Sequence, residues 1–300
     1  MLVIGSANMD IVVRAKRVPA AGETVMGLDY AFYPGGKGAN QAVAASRAGA
    51  SVRLCASLGR DQHGDALRAS LRADQVDMSG LYESDLPSGV AFITVEEAGE
   101  NRIIVVPGAN HAFRPDALPG HVEPQTVMLA QLEIPVETVL EGAKKVRAAG
   151  GCVVLNASPV AGLGESSCAA LMAASDILLV NETEASVLLG LTELPAPLQA
   201  VRQLAQGRRA AVITLGSEGV VWAEQDRSGH IAAHDVTVVD TTACGDAFAG
   251  GFAAALEAGE MIEQAVRFGN AAGALAARLP GAQPSLPRRS EILAFLERKI

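Results

Sequence analysis

The sequence predicts an α/β fold, namely a doubly wound, mostly parallel sheet flanked by helices, with a small β-sheet lid. Short apolar runs alternate with Ala-rich helical segments along most of the chain, and parallel strands need such helical connections. Of the 300 residues, 49% are hydrophobic and 19% are charged, so a sizeable core is available. We therefore expect a single α/β domain over residues 1–300.

The predicted elements follow one another in a regular order. Runs rich in apolar residues predict strands at Leu2–Gly5, Val52–Ser57, Thr126–Leu129, Cys152–Leu155, Ile177–Val180, Ala210–Thr214 and Val236–Val239. Longer segments between them predict helices at Gly38–Ala48, Asp61–Arg72, Val136–Ala148, Glu182–Leu189, Pro197–Gln206, Gly245–Glu257 and Ile262–Ala277. Both faces of the parallel sheet should therefore be covered.

Two regions interrupt this alternation and predict the lid. Asp10–Val18 and Glu23–Pro34 are strand-like with no helix between them, and Ser88–Glu97 with Asn101–Pro107 reads as a hairpin that turns at residues 98–100. Alternation at Val90, Phe92 and Thr94 indicates a sheet with one exposed face. We expect residues 10–34 and 88–107 to cover a ligand at the carboxyl ends of the parallel strands.

Composition excludes several classes of protein. The 24 Lys and Arg against 33 Asp and Glu give a net charge of −9, which argues against nucleic acid or an anionic membrane as a partner. The four cysteines form no C-x-x-C pair and predict reduced thiols in a cytoplasmic protein. Apolar runs are too short for a membrane span, and no basic leader precedes the first strand.

The strongest functional signal is Asp240-Thr241-Thr242-Ala243-Cys244-Gly245-Asp246. Small residues at the start of the helix that follows leave backbone N–H groups pointing outward, and with the helix dipole they form an anion site. An aspartate repels phosphate, so Asp246 fits better as a base that takes a proton from a hydroxyl attacking that phosphate. The alternative is a helix-start residue that the dipole favours.

Two more segments carry polar groups beside a strand or helix. Gly35-Gly36-Lys37-Gly38-Ala39-Asn40-Gln41 combines glycines, which let a ligand approach the backbone, with the donors Lys37 and Asn40. A plain turn from loop to helix is the alternative. Gly5–Asp10 puts Asn8 and Asp10 on one side of an extended chain, where they can grip adjacent hydroxyls, unless an Asx turn ends the strand.

Two loops that follow strands each have two possible interpretations. Asn181-Glu182-Thr183-Glu184 predicts a capping box, although a carboxylate at the end of a strand can also order a metal–phosphate group through water. Thr214–Gly219 is either a nucleotide loop or an ordinary glycine turn.

Together these motifs resemble the ribokinase-like carbohydrate kinase family, in the same order and over nearly the whole chain. The matching segments are Gly5–Asp10, Gly35–Gln41, Asn181–Glu184, Thr214–Gly219, Asp240–Asp246 and Gly281–Ser285. The resemblance implies Mg²⁺- and ATP-dependent phosphorylation of the 5-hydroxyl of D-ribose. Another pentose or nucleoside kinase remains an alternative, and so does a non-catalytic sugar sensor on the same fold.

The resemblance also implies a role for each matching residue. Asp246 would be the catalytic base, with an anion hole at Ala243, Cys244 and Gly245. The sugar would contact Asn8, Asp10, Gly36, Lys37, Asn40, Glu133 and Asp246. The nucleotide would contact Asn181, Thr214, Leu215, Gly216, Ser217, Glu218, Gly219, Gly245 and Asn270. Glu184 would lie near Mg²⁺ through water, and a K⁺-type cation would lie among Asp240, Thr242, Ala276, Leu279, Gly281 and Ser285.

The departures from the family pattern include two single residues. Cys244 stands where Ala or Gly is usual, which introduces a thiol open to oxidation or alkylation, and Asn270 stands where His is frequent.

Residues 240–242 and 281–285 are separated by two helices whose antiparallel packing would bring carbonyls together. K⁺ would satisfy those carbonyls, although water or N–H groups are the alternative. The apolar faces of two lids would pair in a homodimer.

Overall fold

A computed structural model describes residues 1–97 and 100–297 of the chain. The strands are β1 (Leu2–Ile4), β2 (Asn8–Ala15), β3 (Gly27–Gly35), β4 (Arg53–Gly59), β5 (Asp77–Ser84), β6 (Gly89–Glu96), β7 (Asn101–Val106), β8 (Val127–Ala130), β9 (Cys152–Asn156), β10 (Ile177–Asn181), β11 (Ala210–Thr214), β12 (Val220–Glu224) and β13 (Arg227–Ile231). The helices are α1 (Lys37–Arg47), α2 (Gln62–Ala73), α3 (Val136–Ala148), α4 (Glu165–Ala174), α5 (Glu182–Leu189), α6 (Pro197–Leu204), α7 (Cys244–Glu257), α8 (Ile262–Ala276) and α9 (Arg289–Glu297).

In the described residues, the main sheet has nine strands in the order β13-β12-β11-β10-β9-β8-β1-β4-β5. The strands from β11 to β5 pair in parallel, and β12 and β13 add an antiparallel hairpin at one edge. The order grows outward in both directions from β1 and β8, so the predicted doubly wound sheet is confirmed.

Two hydrophobic clusters cover the two faces of this sheet. Val3 and Leu129 lie in one cluster, whereas Leu2, Ile4 and Met128 lie in the other, because successive side chains of a strand point to opposite faces. Burial on both faces explains why these strands read as continuous apolar runs. No helix in the described part of the chain is long and apolar enough to cross a membrane.

One predicted strand is wrong. Val236–Val239 is irregular and pairs with no strand in the described residues, and Val238 and Val239 are 60% and 58% exposed. The backbone N–H of Val239 donates instead to the carbonyl of Ala277 (2.7 Å). β-Branched composition alone favours extension, while a strand also needs a free sheet edge to pair with.

A second sheet has the order β3-β2-β6-β7, in which β2 and β6 are parallel and the outer pairs antiparallel. It contains the strand-like segments predicted for the lid, including the antiparallel pair β6 and β7. Of the predicted turn at 98–100, residues 98 and 99 lie outside the described residues. One row across the sheet is Phe32, Ile11, Phe92 and Ile104, and its aromatic and β7 members are exposed.

Candidate active site

Asp246 lies in the first turn of α7 and is buried against the start of α1. Asn40 Nδ2 donates to Asp246 Oδ2 (3.0 Å), and Gln41 Nε2 donates to Oδ1 (2.9 Å). The two helices approach closely because Gly250 has no side chain: a Cβ there would lie 2.5 Å from the Cβ of Ala44. Two amides therefore orient the carboxylate and leave lone pairs on both oxygens for a ligand.

Lys37 supplies a positive charge beside this carboxylate. Burial raises the pKa of Asp246 above its usual value, and the charge of Lys37 and the amide hydrogen bonds oppose the rise. Burial lowers the pKa of Lys37, but Asp246, Glu133 and Glu184 outweigh it, so the net shift is upward and the ammonium stays charged. A carboxylate of raised basicity next to a fixed cation suits proton transfer.

Asn8 and Asp10 start the lid strand β2, immediately after the carboxyl end of β1. Both are buried, and the alternation of the strand directs them to the same side. Burial raises the pKa of Asp10 to about 7, and the neighbouring Glu133 and Asp246 charges add to the rise. Within the described residues the Asp10 carboxylate accepts no hydrogen bond, so it is available to a ligand hydroxyl.

Glu133 follows β8 and contacts the segments that contain Ser6 and Lys37. Its Oε2 accepts from Ser6 Oγ (2.5 Å) and from the backbone N–H of Lys37 (3.2 Å). Gly36 is required beside it, because its φ is +86° and a Cβ would lie 2.6 Å from the backbone nitrogen of Asn8. The two predicted motifs around Asn8 and Gly36 are therefore in direct contact.

Several polar atoms here lack a partner among residues 1–97 and 100–297. Asn40 Oδ1 is fully buried without a hydrogen bond. The side-chain bond that Asn8 makes uses its Oδ1, so its Nδ2 has no acceptor there. Buried polar atoms normally have partners, so a group of unpaired donors and acceptors indicates a site built for a polar ligand. The predicted sugar set is assembled at one place: Asn8, Asp10, Gly36, Lys37, Asn40, Glu133 and Asp246.

The start of α7 offers backbone donors. The N–H groups of Gly245 and Asp246 have no acceptor within the described residues, and a Cβ at Gly245 would meet nothing within 4 Å. The Cys244 N–H donates to the Thr241 carbonyl (3.2 Å). Of the predicted anion-hole amides, the N–H groups of Ala243 and Gly245 thus have no acceptor in the described residues, and Gly245 is the exposed one of the two.

Cys244 itself is a weakly reactive thiol. Burial raises its pKa to about 11, and the nearby Asp240 and Asp246 charges add to this rise. The protonated thiol is a poor nucleophile, so the location at a helix start does not make Cys244 an activated cysteine.

A cavity of about 190 Å³ joins Asp246 to the loops at the carboxyl ends of β9, β10 and β11. Its lining includes Lys37, Asn181, Glu184, Thr214 and Thr242. Asn181 and Glu184 form the predicted capping box at the start of α5, where Asn181 Oδ1 accepts from Glu184 N (2.8 Å) and Glu184 Oε2 from Asn181 N (2.9 Å). The cavity thus links a candidate base, a cation and an open helix start.

A family model described as pfkB family carbohydrate kinase matches residues 1–289. The chain belongs to this family. The pfkB assignment confirms the resemblance drawn from the motifs, and the match extends across both sheets.

Curated proteins and solved structures that are similar to this pfkB chain support the same family. The chain is 36% identical to the ribokinase of Haemophilus influenzae (99% of this chain, 98% of the relative) and 38% identical to that of Bacillus subtilis (98% of both). The crystal structure of Thermotoga maritima ribokinase matches with a TM-score of 0.88 at 34% identity, covering 99% and 98% of the chains. The Arabidopsis thaliana ribokinase complexed with ribose and ATP matches with a TM-score of 0.85 at 32% identity and the same coverage.

The predicted nucleotide residues of this pfkB chain lie in two groups. Asn181, Thr214 and Gly245 line the cavity, whereas residues 215–219 form a turn beyond it, in which Leu215 N donates to the Gly219 carbonyl (2.8 Å). Asn270 on α8 donates through Nδ2 to the Ala232 carbonyl (2.9 Å) and is not part of the lining.

The two segments predicted to hold a cation, residues 240–242 and 281–285, are in contact. Asp240 Oδ2 accepts from Gly281 N (2.8 Å), and Asp240 Oδ1 accepts from Thr242 N (2.9 Å). Burial alone would raise the pKa of Asp240, but hydrogen bonds from Thr242 and Gly281 outweigh it and lower the pKa. A larger cavity of about 490 Å³ includes Leu279 and Ser285 but none of the predicted sugar residues.

Some site residues were not identified by sequence reasoning. Gln41 donates to Asp246 and to Asn156 Oδ1 (2.9 Å), and its Oε1 accepts from Gln131 Nε2 (2.5 Å). Asn110 contacts Asn8 from the helical turn Gly108–Ala112, which follows the lid strand β7. Gln41 lies inside the predicted motif Gly35–Gln41, and Gln131 lies next to the predicted site residue Glu133. No sequence pattern indicates that Asn110 belongs to the site.

Proposed function

We propose that this chain transfers the γ-phosphoryl group of ATP to the 5-hydroxyl of D-ribose, giving D-ribose 5-phosphate and ADP. The observation that carries the proposal is the meeting of unpaired polar groups with Asp246 next to an open helix start. Full-length ribokinase relatives at 36% and 38% identity support the sugar, and the ribose and ATP complex of the Arabidopsis relative supports both substrates.

Asp246 acts as the general base in this proposal. The sugar is held by Asn8, Asp10 and Glu133, with its reacting hydroxyl at the Asp246 carboxylate. Asp246 accepts the hydroxyl proton as the sugar oxygen bonds to the γ-phosphorus and the bond to the β,γ-bridging oxygen breaks, so ADP leaves. Burial and the raised pKa of Asp246 favour its accepting that proton.

The charge that develops on the transferred phosphoryl group faces the start of α7. The free N–H of Gly245 and the dipole of this 14-residue helix stabilise that charge, and Lys37 adds a side-chain cation. These groups are fixed before the substrates bind, so little reorganisation is needed during the reaction.

The residues present fit a Mg²⁺ ion that arrives with ATP. The described residues contain no cluster of three or more metal-ligating side chains, so phosphate oxygens and water supply most ligands. Glu184 Oε2 is taken by the capping box, and its other carboxylate oxygen has no partner in the described chain and can order a metal-bound water. Bound Mg²⁺ neutralises phosphate charge.

We further propose that K⁺ activates the enzyme at Asp240, Thr242, Ala276, Leu279, Gly281 and Ser285. The contact between Asp240 and Gly281 supports the meeting of the two stretches, directly beside the anion hole. Replacing Na⁺ by K⁺ at fixed ionic strength should raise turnover severalfold, and Asp240→Ala should weaken this activation. Equal rates in Na⁺, K⁺ and a bulky organic cation would remove the cation from the proposal.

Two broader features belong to the same proposal. The protein forms a homodimer through the exposed apolar face of the lid, and it acts in the cytoplasm. The four free cysteines support a reducing compartment.

A substrate panel tests the proposed function. ADP release is measured with ribose, 2-deoxyribose, fructose and nucleosides at saturating Mg·ATP. Ribose should give the highest kcat/KM. A nucleoside that exceeds ribose would reassign the substrate, and absence of turnover with every sugar, together with measurable sugar binding, would favour a non-catalytic sensor.

A further inference from the structure

We propose that Asn110 is a positioning residue for the sugar, which holds the side-chain amide of Asn8 so that its NH₂ group faces the substrate. The inference rests on the proposed function, in which Asn8 binds a sugar hydroxyl. Asn110 touches neither substrate, so its effect on binding passes through Asn8.

The Asn110 side chain uses both of its N–H donors and its carbonyl oxygen on one short segment. Nδ2 donates to Asn8 Oδ1 (2.7 Å) and to the Ala7 carbonyl (3.1 Å), and Oδ1 accepts from the Ala7 N–H (2.9 Å). Asn110 is 1% exposed, so no water competes for these bonds. A flipped Asn110 amide would put like groups face to face at both contacts with the Ala7 backbone, which fixes its orientation.

This orientation in turn fixes Asn8. Because Asn8 Oδ1 accepts from a donor that cannot flip, the NH₂ group of Asn8 must occupy the other side of its amide plane. That group has no acceptor within residues 1–97 and 100–297, and it lies two residues from the unpaired Asp10 carboxylate on the same side of β2. The site therefore presents a donor at Asn8 and an acceptor at Asp10, which matches two neighbouring hydroxyls.

The contact lies at the corner where the lid joins the main domain. Asn110 follows β7 in the helical turn Gly108–Ala112, and Gly89 starts β6 on the other side of the bond. A Cβ at Gly89 would lie 2.2 Å from Asn8 Oδ1 and 2.3 Å from Asn110 Nδ2. The N–H of Ala109 donates to the Pro87 carbonyl (2.7 Å), so the same corner fixes the lid strands and the sugar-binding amide.

A purely structural role is the alternative. Asn110 would then stabilise the turn after β7, and its loss would lower the unfolding temperature and weaken activity whether or not Asn8 is present. The two roles differ in whether the effects of Asn8 and Asn110 depend on each other.

A double-mutant cycle separates them. KM for the best sugar of the wild-type panel is measured for wild type, Asn8→Ala, Asn110→Ala and the double variant, with kcat, KM for ATP and the unfolding temperature. Asn110→Ala should raise the sugar KM about tenfold in the wild-type background and less than about twofold in the Asn8→Ala background. The KM for ATP should stay unchanged. Asn101→Ala, an exposed asparagine on β7, is the matched control.

Asn110→Asp gives a second test that keeps the size of the side chain. The carboxylate loses the bond to the Ala7 carbonyl, as Asn110→Ala also does. It can only accept from Asn8, so Asn8 turns its amide and presents its oxygen to the sugar. The sugar KM should therefore rise more than in Asn110→Ala. Equal effects of Asn110→Ala in both backgrounds, or a sugar KM unchanged by either variant, would overturn the inference while the proposed function stands. Wild-type protein that phosphorylates no sugar would overturn both.

Discussion

The ionisation of Asp10 connects stability and sugar binding at a single residue. Its pKa is raised to about 7 by burial and by Glu133 and Asp246, against an ordinary value of 3.8. The folded protein therefore binds this proton more tightly than the unfolded chain does, and the free energy of unfolding falls as pH rises through this interval. The ionised carboxylate that binds a hydroxyl is the form that destabilises the empty site.

Asp10→Asn should separate these two effects. At pH 8 the ligand-free variant should unfold a few degrees higher than wild type, because a buried unpaired charge is removed, while the sugar KM rises about tenfold or more. Thermal unfolding from pH 5 to pH 8 and steady-state kinetics measure both. Asp29→Asn, on the exposed part of β3, is the control. A variant that is less stable than wild type at pH 8 would contradict the account of Asp10.

The sequence identified Asn8 and Asp10, but not their partner Asn110. Alternation along one strand is a local property, so the residues of β2 that share a side can be predicted from their spacing. The bond between Asn110 and Asn8 joins residues 102 positions apart and depends on the path of the whole lid. Likewise, Gln41 was visible within its motif, but its two donor bonds depend on where α1 meets α7.

The contact between helices α1 and α7 determines the geometry of the candidate base. Gly250 lies where the backbone of α1 approaches, and a Cβ there would lie 2.8 Å from the Gln41 carbonyl as well as 2.5 Å from the Ala44 Cβ. Adding a side chain must move the helices apart by several tenths of an ångström. Asn40 and Gln41 would then lose their aligned bonds to Asp246.

Gly250→Val should therefore lower kcat more than it raises the sugar KM. We expect kcat to fall by about tenfold to a hundredfold, because misplacement of a catalytic group has effects of this size. Gly251→Ala is the control on the same helix, since its nearest contact is the Ala272 Cβ at 3.1 Å and faces α8. Unchanged kcat in a folded Gly250→Val protein would show that this contact does not position Asp246.

Helices and strands that the local sequence defines clearly were predicted with the correct bounds, whereas several elements without such a local pattern were not predicted. The predicted bounds of α3, α5 and β11 agree with the structure. The helix α3 is amphipathic, α5 lies between a capping box at Asn181 and a left-handed Gly190, and β11 is a short apolar run. β5, β12, β13, α4 and α9 were not predicted. β13 (Arg-Ser-Gly-His-Ile) has no apolar alternation and is a strand because β12 offers it an edge, while α4 buries Leu171 alone among its ten residues.

The exposed apolar face of the lid concerns the oligomeric state of the whole molecule. Tyr30 and Phe32 on β3, Phe92 on β6 and Ile104 on β7 project from the second sheet, and each is about half exposed or more. A contiguous apolar surface of this kind is typical of a protein–protein contact. A second copy of the lid would cover it, as the proposed homodimer requires.

Ile104→Glu should convert the dimer into a monomer. Light scattering at micromolar concentration should give about 62 kDa for wild type, twice the 30.8 kDa of one chain, and about half of that for the variant. A buried unpaired charge in the centre of the contact accounts for the loss. Val187→Glu, at an exposed apolar residue of α5, should leave the mass unchanged. Wild type that scatters as a monomer would exclude lid pairing.

Asp246→Asn, assayed with ribose and Mg·ATP, tests whether Asp246 is the general base. The substitution keeps the shape of the side chain and, through its one amide oxygen, the hydrogen bond from either Gln41 or Asn40. It removes the carboxylate that accepts the proton. kcat should fall by about 10²–10⁴-fold while nucleotide affinity stays within about twofold of wild type, and wild-type product should carry its phosphate on the 5-oxygen by NMR. Turnover by Asp246→Asn close to that of wild type, in a protein that binds both substrates normally, would contradict the account.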